Sequence, residues 1–148
     1  MRRWLLVVLM VVAGSVAGCV ETGAARRSTP GTSETSLPAR LTLRVGETRD
    51  LGVARLRVEQ VVEDSRCPRD AVCVSAGRVR VRFEVQPADA PAQHVVLTLD
   101  GARAAADEAQ AHLAGLRLTL LAVEPVPRAA VPIRADQYRI TCLVEPAP

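Results

Sequence analysis

The chain has 148 residues, with 19 arginines, no lysine and 16 carboxylates, for a formal net charge of +3. That length fits one ordinary domain with a tail and excludes most two-domain enzymes. Trp4, Phe83 and Tyr138 are its only aromatic residues, which excludes the ring-lined platforms that stack single-stranded nucleic acid, and His94 and His112 alone leave little for a histidine-built site.

Arg2 and Arg3 open the chain, an apolar run from Trp4 to Val12 follows, and small residues lead from Ala13 to Cys19. A positive start, a short apolar core and small residues before a cut site describe a secretory signal. The apolar run is well short of the roughly 20 residues that a spanning helix needs. At its end, Val16-Ala17-Gly18-Cys19 resembles the lipobox of bacterial lipoproteins. The resemblance implies that residues 1–18 are removed and that Cys19 becomes the lipidated first residue. It also implies a membrane attachment through acyl chains. Each buried methylene contributes about 0.8 kcal/mol, and two or more chains hold where one is marginal. Val20, rather than aspartate, follows the cysteine, which in that family favours the outer membrane, facing the periplasm or the cell surface. Loss of Arg2 and Arg3 leaves 17 arginines against 16 carboxylates. The basic excess then nearly vanishes, and no nucleic-acid partner is expected.

Residues 19–38 are rich in Ser, Thr, Gly, Pro and charge. Such a composition buries too little to offset the entropy of ordering, so the stretch reads as a disordered tether, with a mean reach of about 20 to 25 Å. The remaining residues, 39–148, read as one β domain.

Here the hydrophobic period is two. Leu41 to Val45 and Val53 to Glu63 are strand candidates, and Arg78 to Val85 alternates without a fault over eight positions. Val95, Leu97 and Leu99 repeat the pattern, as do Leu116, Leu118 and Leu120, and then Tyr138, Ile140, Cys142 and Val144. Alternation of this kind marks strands with one buried face. Gly46-Glu47, Pro87-Ala88-Asp89, Asp100-Gly101 and the prolines at 125, 127 and 132 separate them. The expected fold class is all-β: an antiparallel sandwich or small barrel of about six to seven strands. Ala102 to Leu113 fits a short helix, a loop with one helical turn or an irregular edge strand.

If Val53–Glu63 pairs antiparallel with Gly77–Gln86, buried positions must oppose buried positions. The preferred register sets Arg57 against Glu84, Val58 against Phe83, Glu59 against Arg82, Val62 against Val79 and Glu63 against Arg78. It joins opposite charges and apolar pairs, each worth roughly 0.2 to 1 kcal/mol. Two arginines of the 78, 80 and 82 stripe would then be paired, which makes the stripe a solvated strand face rather than an anion site.

The linking segment holds Cys67 and Cys73, with five residues between them. An exported chain is expected to oxidise such a pair, and closing so small a ring is worth roughly 2.4 kcal/mol. Cys142 lies on the inward face of its strand and reads as a buried free thiol. A bridge from Cys142 to Cys67 or Cys73 is the rival arrangement, and the spacing matches no zinc pattern. Glu63-Asp64-Ser65-Arg66-Cys67-Pro68, a second cysteine and then Ala76-Gly77 resemble a recurrent β domain of bacterial secreted proteins and lipoproteins. That resemblance covers about residues 40 to 145 and implies the fold but no chemistry. Ser75 stands where the domain usually carries tryptophan.

Asp64, Arg66, Arg69 and Asp70 are the candidate partner-binding residues of this loop; alternatively, Asp64 and Ser65 cap the turn and Arg66 pairs with a nearby acid. No nucleophile elbow, zinc-protease helix or phosphate loop is present, and His94 reads as outward-facing. The expectation is a lipid-anchored, non-catalytic binding or structural module of the cell envelope, without cofactor or metal, whose partner is an envelope protein or polymer. Its rivals are a periplasmic enzyme inhibitor acting through residues 64–76 and a metal-binding protein.

Overall fold

The computed structural model describes residues 35–101 and 108–148. The expected signal, Cys19 and the expected tether up to residue 34 lie outside the described residues, as does 102–107. Eight strands follow in order: β1 Ala39–Leu43, β2 Thr48–Asp50, β3 Ala54–Asp64, β4 Arg78–Pro87, β5 Gln93–Asp100, β6 Gln110–Leu113, β7 Leu116–Glu124 and β8 Arg139–Pro146. A 3₁₀ turn, Ala135–Gln137, precedes β8.

Two antiparallel four-stranded sheets form, in the orders β1-β8-β7-β6 and β2-β3-β4-β5. Within each sheet consecutive strands are neighbours, β2 to β5 in one and β6 to β8 in the other, and β8 also pairs with β1. The chain changes sheet between β1 and β2 and again between β5 and β6. At the second change, the Thr98 amide donates to Glu108 O (2.9 Å) and the Leu120 amide to Ala109 O (2.7 Å). The architecture is an all-β sandwich, one of the two arrangements expected from the alternation. The additional strands are β2, of three residues, and β6, of four, both too short to display a period. Of the segment 102–113, Gln110–Leu113 forms the edge strand of its sheet.

The alternating residues fill the space between the sheets. Leu41, Leu43, Leu56, Val58, Val79, Val81, Phe83, Val85, Leu97, Leu99, Leu118, Leu120, Ile140, Cys142 and Val144 are buried, and Phe83 is the only aromatic side chain enclosed by strands on this list. Leu37 packs against the core from just before β1.

Only half of the expected β3–β4 register is found. Arg57 opposes Glu84 and Val58 opposes Phe83, but two bulges then shift the pairing to Gln60–Arg82, Val61–Val81, Glu63–Arg80 and Asp64–Val79. Each bulge inserts one unpaired residue and turns the strand. Glu59 therefore does not meet Arg82; it reaches His94 on β5 instead, with Oε2 3.0 Å from Nδ1. Val62 does not oppose Val79 and is exposed. Glu63 binds both Arg78 (3.1 Å) and Arg80 (3.7 Å). Two arginines of the stripe are thus paired, but they are 78 and 80, and Arg82 makes no ion pair among the described residues. The hydrogen bonds of Glu63 with Arg78 and Ser65 hold its carboxyl below the usual range, with the charges of Arg78 and Arg80 adding to the effect.

The strand directions set the two ends of the sandwich. Ala39 pairs with Val144, near the end of β8, whereas Glu124 pairs with Arg139, at its start. The chain therefore enters at the end opposite the β7–β8 connection. The β3–β4 connection, which contains the cysteine pair, lies with the β7–β8 connection.

Candidate functional site

Asp64 ends β3 on the inward side, opposite Val79, and Arg66 follows it around the corner. Their side chains are 9% and 8% exposed. Arg66 Nε donates to Asp64 Oδ1 (2.7 Å) and Nη2 to Oδ2 (2.6 Å), a two-pronged pair. Nη1 donates to Val123 O and Nη2 also to Pro125 O (3.0 Å), both at the end of β7. Tyr138, just ahead of β8, donates its hydroxyl to Asp64 Oδ2 (3.1 Å). Burial first, then the charge of Asp64 and the hydrogen bond to it, push the Tyr138 hydroxyl from 10.0 up to about 12, against the opposing charge of Arg66. No buried side-chain polar atom among the described residues lacks a partner. A pair so enclosed and so fully bonded fastens the loop to the far sheet, because breaking it strands a charge.

Beyond Arg66 the chain turns outward. Cys67 and Cys73 are disulfide-bonded, with Cα atoms 6.0 Å apart, and Cys142 is free and buried. Burial alone pushes the Cys142 thiol from 9.0 up to about 12, which leaves it an inert part of the core. The Cys67 amide donates to Ala76 O (2.9 Å) and the Ser65 amide to Arg78 O (2.8 Å), closing the neck of the loop. Gly77 sits at φ +63°, where an added Cβ would stand 1.8 Å from Ser65 O, so no other residue fits that neck. Residues 71–76 are all exposed, and Val72 and Val74 are fully so. Ser75 covers nothing; its Oγ accepts the Gly77 amide at 3.3 Å.

The loop is also sewn to the proline-rich connection after β7. The Arg69 amide donates to Pro127 O (3.0 Å), and Asp70 Oδ1 accepts the Ala129 amide (2.8 Å). The four candidate residues therefore divide. Asp64 and Arg66 are bonded in the interior and offer nothing to a partner, whereas Arg69 and Asp70 stand at the surface.

Next to that seam lies an open hollow of about 670 Å³, lined by Arg69, by Glu124 to Val126, by Arg128, by Val131 to Ile133, and by Gln137 and Arg139. Its residues come from three separate segments, so no single stretch of sequence marks it. The one signal was the recurrence of arginine among the prolines between 125 and 139. His94 and His112 are exposed on different sheets. Among the described residues no three His, Cys, Asp or Glu side chains group as metal ligands.

In comparison with known proteins, the chain matches no family model, no curated protein and no solved structure. Fold and site together define an antiparallel β-sandwich whose far end is braced by an internal ion pair and by a cysteine pair at disulfide distance.

Proposed function

We propose that the protein is a non-catalytic binding module of the bacterial cell envelope, anchored by lipid on Cys19 and meeting an envelope protein or polymer through its loop end. The carrying observation is the contrast within residues 64–77: a root locked by Asp64, Arg66 and Tyr138, and a tip on which Val72 and Val74 are wholly exposed. The Cys67–Cys73 ring limits the backbone freedom that such an apolar tip would give up on binding, which is how pre-organised loops gain affinity. The described chain enters β1 at the opposite end of the sandwich, which leaves the tip clear of the point of entry. The valine after Cys19 favours the outer membrane.

Lipidation is tested by labelling cells with a palmitate analogue. Label should be lost, and the protein released from membranes, in Cys19→Ser. Recognition is tested by capture from solubilised native membranes. The intact acylated protein should recover a partner that Cys67→Ser/Cys73→Ser and Val72→Asp/Val74→Asp do not; equal recovery by all three overturns the role of the tip.

The unbroken run of exposed residues 71–76 on a stapled loop also fits a periplasmic enzyme inhibitor, which would insert the tip into a target's cleft. Inhibition assays against lysozyme and envelope proteases separate the two readings.

A further inference from the structure

We propose that the hollow beside the cysteine loop binds an anionic amphiphile, with a phosphate or carboxylate held by Arg69, Arg128 and Arg139 and an apolar body lying on Val126, Val131 and Ile133. This deepens the binding-module reading and rests on it. Two hydrogen bonds join the two loops, Arg69 N to Pro127 O between backbones and Ala129 N to the Asp70 carboxylate, so the partners on the second loop sit on either side of Arg128. The seam thus brings Arg69 and Arg128 to one hollow without using either guanidinium. Both are exposed, and neither makes an ion pair or side-chain hydrogen bond among the described residues.

Arg139 enters from β8. Its Nη1 lies against the carbonyls of Asp136, Gln137 and Tyr138, at 3.3, 3.4 and 3.1 Å, which fixes the group while its other nitrogens make no hydrogen bond among the described residues. Glu124 is the only carboxylate in the lining. Asp70, at the rim, is engaged by the Ala129 amide, and Asp136 is paired with Arg134 at 3.1 Å. Positive charge therefore prevails even with the rim included. Unpaired guanidiniums present planar, donor-only forks suited to phosphate and carboxylate. Val126 and Val131 are exposed large hydrophobics, and together with Pro125, Pro132 and Ile133 they give the hollow an apolar floor. Its volume falls within the ~300 to 1,000 Å³ typical of small-ligand sites.

The test uses the acylation-free folded chain at neutral pH, followed by amide and methyl chemical shifts. The probes are decyl phosphate and decanoate, below their micelle concentrations. Saturable shifts confined to residues 124–139 and Arg69 are expected, at least tenfold weaker in Arg69→Glu/Arg128→Glu and weaker for butyl phosphate than for decyl phosphate. Equal binding of decyltrimethylammonium, shifts scattered over both sheets, or no loss in the double variant would overturn the proposal. Phosphatidylglycerol vesicles separate the sources. Arginine-dependent vesicle binding identifies a lipid headgroup, whereas probe binding without vesicle binding identifies a soluble amphiphile. If the probes fail while membrane capture still depends on Val72 and Val74, the hollow falls and the module reading stands.

Discussion

Tyr138 and Asp64, 74 positions apart in the chain, meet through a 3.1 Å hydrogen bond from the phenol to Oδ2, the same oxygen that receives Arg66 Nη2. One carboxylate thus ties the end of β3, the start of the cysteine loop and the lead into β8. Tyr138→Phe keeps the ring and removes the bond. Hydrogen bonds to charged groups contribute about 1.5 to 3 kcal/mol, and a loss of that size is expected in urea unfolding, with the sandwich otherwise unchanged.

Alkaline pH reaches the same place. The Tyr138 hydroxyl titrates at about 12 in the folded chain against 10.0 unperturbed, and the Cys142 thiol at about 12 against 9.0. For a group raised on folding, the stabilisation is complete below the unfolded value and disappears as pH climbs through the folded one. Stability should therefore begin to fall near pH 9, where Cys142 enters, and fall more steeply from 10 to 12, where Tyr138 joins. In Cys142→Ala the decline should start about one pH unit later. Since Tyr138 is the only tyrosine, phenolate absorbance reports it without interference, and a midpoint near 10 in the folded protein would contradict its enclosure.

Arg66→Met leaves Asp64 charged and buried without its cation. Removing one member of such a pair costs about 3 to 5 kcal/mol, a large share of the roughly 5 to 15 kcal/mol that stabilises a domain. Thermal unfolding should show a drop of well over ten degrees. The outward-facing Glu63→Gln should show a far smaller one.

Gly77→Ala is expected to be as severe for a different reason. The left-handed backbone alone costs a non-glycine residue about 1 to 2 kcal/mol, and here the new methyl meets the backbone carbonyl of Ser65. Relief requires opening the neck of the loop, so amide exchange at Ser65 and Cys67 should accelerate beyond what the global loss of stability explains.

Cys67→Ser/Cys73→Ser tests whether the root stands without the staple. The ring is short, so the stability loss should be near 2 kcal/mol. Arg66 keeps its bonds to Asp64, Val123 and Pro125, and core methyl signals should stay in place. Limited proteolysis should shift to residues 69–76.

The long strands were legible because each buries one face, and the period survives any error in their exact ends. Nothing in composition marks a bulge. The two in β3 passed unseen, and with them the exchange of Arg82 for His94 as the partner of Glu59. The strands β2 and β6 were too short to show a period. In the loop, an acid two residues from an arginine advertised a local pair, but its third member, Tyr138, read only as the start of a strand. The hollow was the least legible, since arginines on three segments acquire a common purpose only after folding.

The pairing of β1 with β8 has a mechanical side. β1 is an edge strand bonded to β8 alone, and the chain reaches it at the end remote from the loops. Tension applied upstream of Ala39 and resisted at the cysteine loop would act along the strands. The paired positions from Ala39–Val144 to Leu43–Ile140 would then carry the load together, in shear, instead of peeling apart one bond at a time.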